Sequence, residues 1–150
     1  MTLENVFDVT NIFVLPFWGL MILLPRWQIT QKVMDSVLPF VALALVYGCL
    51  FVLSIDPDQA ALWANPTLPN LAALFSIPKV MATGWVHYLV MDLFVGRWIY
   101  QQGVEKKIIT FHSLSLCLFA GPIGLLSHLI TAAGTEFWRS RQTTTESPAG

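Results

Sequence analysis

The sequence predicts an all-α protein, an integral membrane four-helix transmembrane bundle with a short interfacial helix between spans two and three. Two observations carry that prediction. Hydrophobic residues make up 55% of the 150-residue chain and charged residues only 11%, so lipid must be the solvent for much of its surface. Four apolar runs also reach the roughly 20 residues that a helix needs to cross a hydrocarbon core. One four-span domain is expected over residues 1–138, followed by a disordered tail over 139–150 that has too little apolar content to order itself.

The first span runs from about Val6 to Leu24, kinked at Pro16 and leaving the bilayer at Pro25-Arg26-Trp27. The second follows Ser36, an N-cap with Pro39 in the first turn, and ends at Asp56-Pro57-Asp58. From there to Lys79, Trp63, Leu71, Leu74 and Phe75 alternate with prolines, which reads as a loop carrying the interfacial helix. The third span covers about Val80 to Tyr100, and the fourth about Ile108 to Ala132, interrupted by Gly121-Pro122-Ile123-Gly124. Four spans put both termini on one side with Lys79, Arg139 and Arg141. The other side holds Arg26, Lys32, Arg97, Lys106 and Lys107, which turns the termini away from the cytoplasm.

A net charge of -1 without clustered Lys and Arg excludes nucleic acid as a partner. Cys49 and Cys117 sit in apolar runs without a CxxC spacing and read as small buried hydrophobes. Met1 to Asp8 carries no positive charge ahead of the apolar run and is not rich in Arg and Ser, so neither a signal nor a transit peptide is read there. This points to a bacterial source or a trimmed precursor. Phosphate loops, GxGxxG, HExxH and GxSxG are lacking in the sequence, and three histidines are too few for a histidine-box iron enzyme. No metal and no cofactor is therefore expected.

Ionisable groups inside a span are costly, which makes Asp92, His87, His112 and His128 the candidate catalytic residues. On a straight fourth helix His112 and His128 stand roughly 24 Å apart and cannot share a ligand. Antiparallel packing of spans three and four instead brings Asp92 toward the level of His112, and His87 toward that of His128, within about 4 to 6 Å in depth. A carboxylate beside an imidazole can handle protons, whereas two imidazoles can be a weak metal site or a hydrogen-bonded structural pair. On the third helix Trp85, Tyr88 and Asp92 share one stripe and His87, Met91, Phe94 and Trp98 another. Trp85, Tyr88, Phe94 and Trp98 are candidates for lining a groove for a flat apolar ligand. Gly121 and Gly124 would let a ligand or neighbour approach the fourth helix closely. Asp92 can equally hold the bundle together through Arg97 or a hydroxyl.

Four stretches stand out, the last two specific beyond their composition: Leu15-Pro16-Phe17-Trp18-Gly19-Leu20-Met21, the run from Pro25 to Ser36, Trp85-Val86-His87-Tyr88-Leu89-Val90-Met91-Asp92-Leu93-Phe94 with Arg97 and Tyr100, and His112-Ser113-Leu114-Ser115-Leu116-Cys117-Leu118 with Pro122, Gly124, Ser127, His128 and Thr131. Together they resemble the abscisic-acid-deficient family of small plastid and cyanobacterial membrane proteins, associated with neoxanthin formation. The resemblance implies a multi-pass protein of carotenoid (xanthophyll) metabolism in a thylakoid or cytoplasmic membrane of a cyanobacterial cell. It also implies a redox-neutral isomerase of the violaxanthin-to-neoxanthin type. Such a reaction delivers one proton to oxygen and removes another from a polyene carbon, which suits Asp92 with His112, or second His87 with His128. Trp85 and Tyr88 are then the polyene contacts. The alternative is a non-catalytic carotenoid-binding or assembly partner, acting as a homo-oligomer or beside other carotenoid enzymes.

Overall fold

Prolines, glycines and side-chain caps set the helix boundaries in the computed structural model, which describes residues 2–145. Helix α1 (Leu3–Leu23) contains Pro16, which removes a ladder hydrogen bond without ending the helix. Helices α2 (Gln28–Asp35) and α3 (Leu38–Ser54) meet at a 43° bend. The N-cap of α3 is Val37, which makes no side-chain cap bond, one residue after the expected Ser36; Ser36 Oγ accepts from the Leu38 amide at 3.2 Å, and Pro39 sits in the first turn as expected. Asp56 then caps a 3-10 turn, Pro57–Gln59, accepting from the Asp58 amide at 3.1 Å. Two short helices follow, α4 (Ala60–Ala64) and α5 (Leu68–Phe75), where one interfacial helix is expected. Helix α6 (Pro78–Lys106) runs through the expected turn at residues 101–107, and α7 (Phe111–Phe119) and α8 (Gly121–Thr145) complete the chain.

By compactness the chain divides into two units, Met1–Pro16 with Asp35–Met91, and Phe17–Met34 with Asp92–Gly150. In the first, Val14, Leu43, Leu50, Leu74 and Val86 are buried. The Trp85 indole donates to Asn11 Oδ1 at 2.9 Å and packs on Phe7, which ties α1 to α6 there. The Ser54 and Thr83 hydroxyls meet at 2.8 Å and tie α3 to α6.

The second unit corrects the expected fourth span. Residues 108–132 do not form one helix, because the chain breaks at Ala120, which is extended (φ -157°), and reverses. Helix α7 lies antiparallel on α8: Ser113 and Ser127 hydroxyls meet at 3.0 Å, and His112 Nε2 and Thr131 Oγ1 at 2.9 Å. Gly124 makes the hairpin this tight, since a Cβ there would lie 2.4 Å from Cys117 Cβ and 2.5 Å from its backbone N and Cα. The estimate of widely separated His112 and His128 therefore fails, because the two stand on facing arms of a hairpin rather than on one straight rod.

The hairpin also fixes the direction of α8. Asp92 against Gly121, Trp98 against His128 and Lys106 against Glu136 advance together along both helices, so α8 runs parallel to the second half of α6. Arg139 closes the far end by donating to the carbonyls of Lys106 and Lys107 at 2.8 and 3.1 Å. Arg139 therefore lies at the same end as Lys106 and Lys107, not opposite them as four crossings require. In the same unit the Tyr100 phenol donates to the Pro25 carbonyl at 2.9 Å, and Arg97 Nε donates to the Met34 carbonyl.

By length and composition one described helix, Leu3–Leu23, can cross a membrane alone, and the bent pair Gln28–Asp35 and Leu38–Ser54 passes the same test together. The expected tail is helical as far as Thr145, with the Arg141 guanidinium over the Phe137 ring at 4.6 Å, and 146–150 lie outside the described residues.

Candidate functional site

A cavity of about 670 Å³ opens within the first unit, walled by Tyr47 and Phe51 of α3, Trp63 of α4, Phe75 of α5 and Val80, Thr83, His87 and Tyr88 of α6. Each wall follows from local sequence. The Asp56-Pro57 stop turns the chain back after α3, and the prolines at 66, 69 and 78 keep α4 and α5 too short to leave that end of the unit. Their aromatic residues then close over α3 and α6. His87 packs between two phenols: its ring centroid is 5.6 Å from that of Tyr47 and 6.1 Å from that of Tyr88. One turn back along α6, Thr83 bonds both Ser54 and the Lys79 carbonyl. Asp56, also in the lining, is held 3.5 Å from Lys79 Nζ.

Such an arrangement has a defined chemical range. The aromatic walls take a flat or extended apolar ligand, and the hydroxyls with Asp56 can hold a polar group on it. An imidazole flanked by phenols can exchange protons with the ligand, since imidazole has one donor and one acceptor nitrogen and phenol is both donor and acceptor. Of the sequence-predicted residues, His87 and Tyr88 come together here. Sequence reasoning did not find Tyr47, Phe51, Ser54, Asp56, Trp63, Phe75 or Thr83. The available signal was the apolar content of the 57–77 segment, which needs a surface to cover.

The remaining candidates have other surroundings. Trp85 is occupied by Asn11 and Phe7. Asp92 Oδ1 rests against Gly121, the first residue of α8, and the Asp92 carbonyl accepts from Cys117 Sγ at 3.6 Å. A carboxylate at a helix N-terminus is favoured by the helix dipole, which is a reason for Asp92 to sit there without catalytic work. His112 bonds Thr131, so Asp92 and His112 serve different contacts of the hairpin. His128 is buried, with Trp98 edge-on at 5.3 Å, and its Nδ1 has no hydrogen-bond partner among the described residues. Phe94 is half exposed. Gly121 and Gly124 provide the close approaches at the hairpin tip rather than part of the cavity lining. Among the described residues no group of three or more His, Cys, Asp or Glu side chains could hold a metal ion.

Comparison with known proteins places this geometry in a lineage. Residues 5–128 match the family described as ABA4-like, ABA DEFICIENT 4-like. Protein ABA DEFICIENT 4, chloroplastic, of Arabidopsis thaliana is 39% identical over 135 residues, which cover 87% of this chain and 61% of that protein. This chain thus spans about three fifths of the curated relative's length. No solved structure matches it. The matched span holds the cavity, the tip of the hairpin and every candidate residue from His87 to His128, and on the strength of that match and the 39% identity the chain belongs to the ABA DEFICIENT 4-like family.

Proposed function

We propose that this protein is an integral membrane isomerase of carotenoid metabolism that binds an epoxy-carotenoid end in the cavity around His87. The carotenoid class rests on the family resemblance. The observation that supports the site is a single one: an aromatic cavity with an imidazole set between two phenols. Opening an epoxide to an allenic alcohol removes a proton from the polyene carbon beside the ring, breaks one C–O bond and returns a proton to that oxygen. Atoms and electrons balance without an oxidant. In this reading His87 takes the carbon-bound proton, and Tyr47 or Tyr88 supplies the proton to oxygen. Asp92 and His112 act as hairpin structure.

The membrane part of the reading is supported by the surface. Leu15 and Leu23 of α1, Leu45 and Leu53 of α3, and Leu126 and Ile130 of α8 are all well exposed, the kind of apolar surface that marks a membrane or partner face. The chain then crosses three times, through α1, through α2 with α3 and through α6, while α7 and α8 form a re-entrant hairpin. The unit of residues 17–34 and 92–150 holds Arg26, Lys32, Arg97, Lys106, Lys107, Arg139 and Arg141, and its charged end faces the cytoplasm or stroma. The word chloroplastic in the relative's name favours a photosynthetic membrane.

The test is expression in a carotenoid-producing bacterium supplied with the enzymes for violaxanthin, followed by chromatography of the pigments. Wild type should yield a new allenic or cis-xanthophyll, lost in His87→Gln and kept in His112→Gln. Loss in Asp92→Asn with retention in His87→Gln would move the site to Asp92. Unchanged pigment, with carotenoid co-purifying, would make the protein a binding or assembly partner instead.

A further inference from the structure

A second cavity, of about 350 Å³, lies in the unit of residues 17–34 and 92–150, and no part of the isomerase reading uses it. Its floor is apolar, with Met21, Val104, Ile108 and Phe111, and its polar lining includes Arg26, Gln31 and Lys107. Both cations lack a side-chain partner among the described residues, as Lys32 outside the cavity also does. Lys79 pairs with Asp56, Lys106 with Glu136, Arg97 and Arg139 bond carbonyls, and Arg141 covers Phe137. Arg26 and Lys107 have no such partner among the described residues, and no Asp or Glu lines the cavity.

Two further features point the same way. Lys107 follows the last residue of α6 with φ of 54°, the left-handed position at which glycine is the usual residue. A lysine there keeps a positive charge at the cavity where the backbone alone would favour none. Thr110 and Phe111 at the start of α7 also line the cavity, and Thr110 makes no side-chain cap, so the first amides of α7, which have no intrahelical acceptor, receive none from the N-cap side chain either. Two unpaired cations and a helix N-terminus above an apolar floor match an anionic headgroup with an acyl chain beneath it.

We infer that this cavity binds one anionic phospholipid, with Arg26, Gln31 and Lys107 holding its phosphate. The inference rests on the membrane reading above and is independent of the carotenoid one. It is tested with the full chain in uncharged detergent, measuring lipid stoichiometry by native mass spectrometry and the thermal midpoint by scanning. Added phosphatidylglycerol should bind at one per chain and raise the midpoint, whereas phosphatidylcholine should not. Arg26→Gln with Lys107→Gln should weaken that binding about tenfold or more, and Lys32→Gln, a cation exposed like those two but outside the cavity, should leave it unchanged. Lys107→Gly separates binding from folding: without lipid its midpoint should rise by about 2–4 °C as the backbone relaxes, while the lipid response falls. Equal binding of phosphatidylglycerol by wild type and the double variant, or equal binding of phosphatidylcholine by wild type, would overturn the site. A full shift from inorganic phosphate alone would overturn the lipid assignment. A chain that stays in solution without detergent would overturn the membrane reading and this inference together, a result none of the other outcomes resembles.

Discussion

Asp92 Oδ1 fills the space that a side chain at Gly121 would need: a Cβ there would lie 2.0 Å from it. The middle of α6 thus supports the tip of the α7–α8 hairpin through a carboxylate set against the first residue of α8. Three residues on, Gly124 meets the Cβ, Cα and N of Cys117, atoms fixed to the backbone, instead of the movable end of a side chain. The two glycines are alike in sequence and differ in what surrounds them.

Their substitutions should therefore differ in cost. Gly121→Ala pushes on a carboxylate that can rotate and should destabilise by about 1–2 kcal/mol, with much of the loss recovered by adding Asp92→Ala. Gly124→Ala presses on backbone that cannot yield and should cost about 3 kcal/mol or more, with no rescue from position 92. Denaturation in detergent of the four variants checks the pattern, and equal costs would show that the hairpin is looser than this geometry.

Hairpin topology can be read by labelling. In a chain with Cys49 and Cys117 replaced by alanine, a cysteine at Ile109 and one at Gln142 should react with a membrane-impermeant thiol reagent from the same face of sealed vesicles. Labelling from opposite faces would restore a fourth crossing.

The cavity and the hairpin should separate under mutation of their tryptophans. Trp63→Ala opens a cavity wall and should reduce the carotenoid retained through purification about tenfold, the weight of one aromatic contact, with little change in thermal midpoint. Trp98→Ala uncovers His128 and should lower the midpoint while leaving carotenoid retention near wild type.

His128 offers a sharper contrast between structure and chemistry. Its buried Nδ1 lacks a hydrogen bond, so His128→Phe removes an unsatisfied polar atom and should hold stability or raise it by up to about 1 kcal/mol, with conversion intact. Loss of conversion in a stable His128→Phe protein would assign that imidazole a chemical role.

Helix starts were legible in the sequence wherever a single residue dictates the backbone. Pro39 opens α3, Asp56-Pro57 closes it and Pro78 opens α6, each by a local rule about amide protons and caps. The interruption at Gly121-Pro122 was equally visible, yet apolar periodicity is the same whether the chain continues straight or turns back. Direction is decided by tertiary contacts such as Ser113 with Ser127, and sequence spacing does not encode them. The same limit applied to the cavity. His87 and Tyr88 were readable as polar residues in a span, but Tyr47 joins them from another helix and Trp63 from a segment that reads as loop.

Helix α7 has nine residues and a length of about 14 Å, less than half of a hydrocarbon core of about 30 Å. On the membrane reading proposed above it has no stable existence in lipid as a separate segment, because the Ser113 hydroxyl and the His112 ring find their partners, Ser127 and Thr131, only when α8 returns along it. On that reading insertion does not proceed one helix at a time: α7 and α8 enter as a preformed pair, after α6 has provided the carboxylate on which their tip comes to rest.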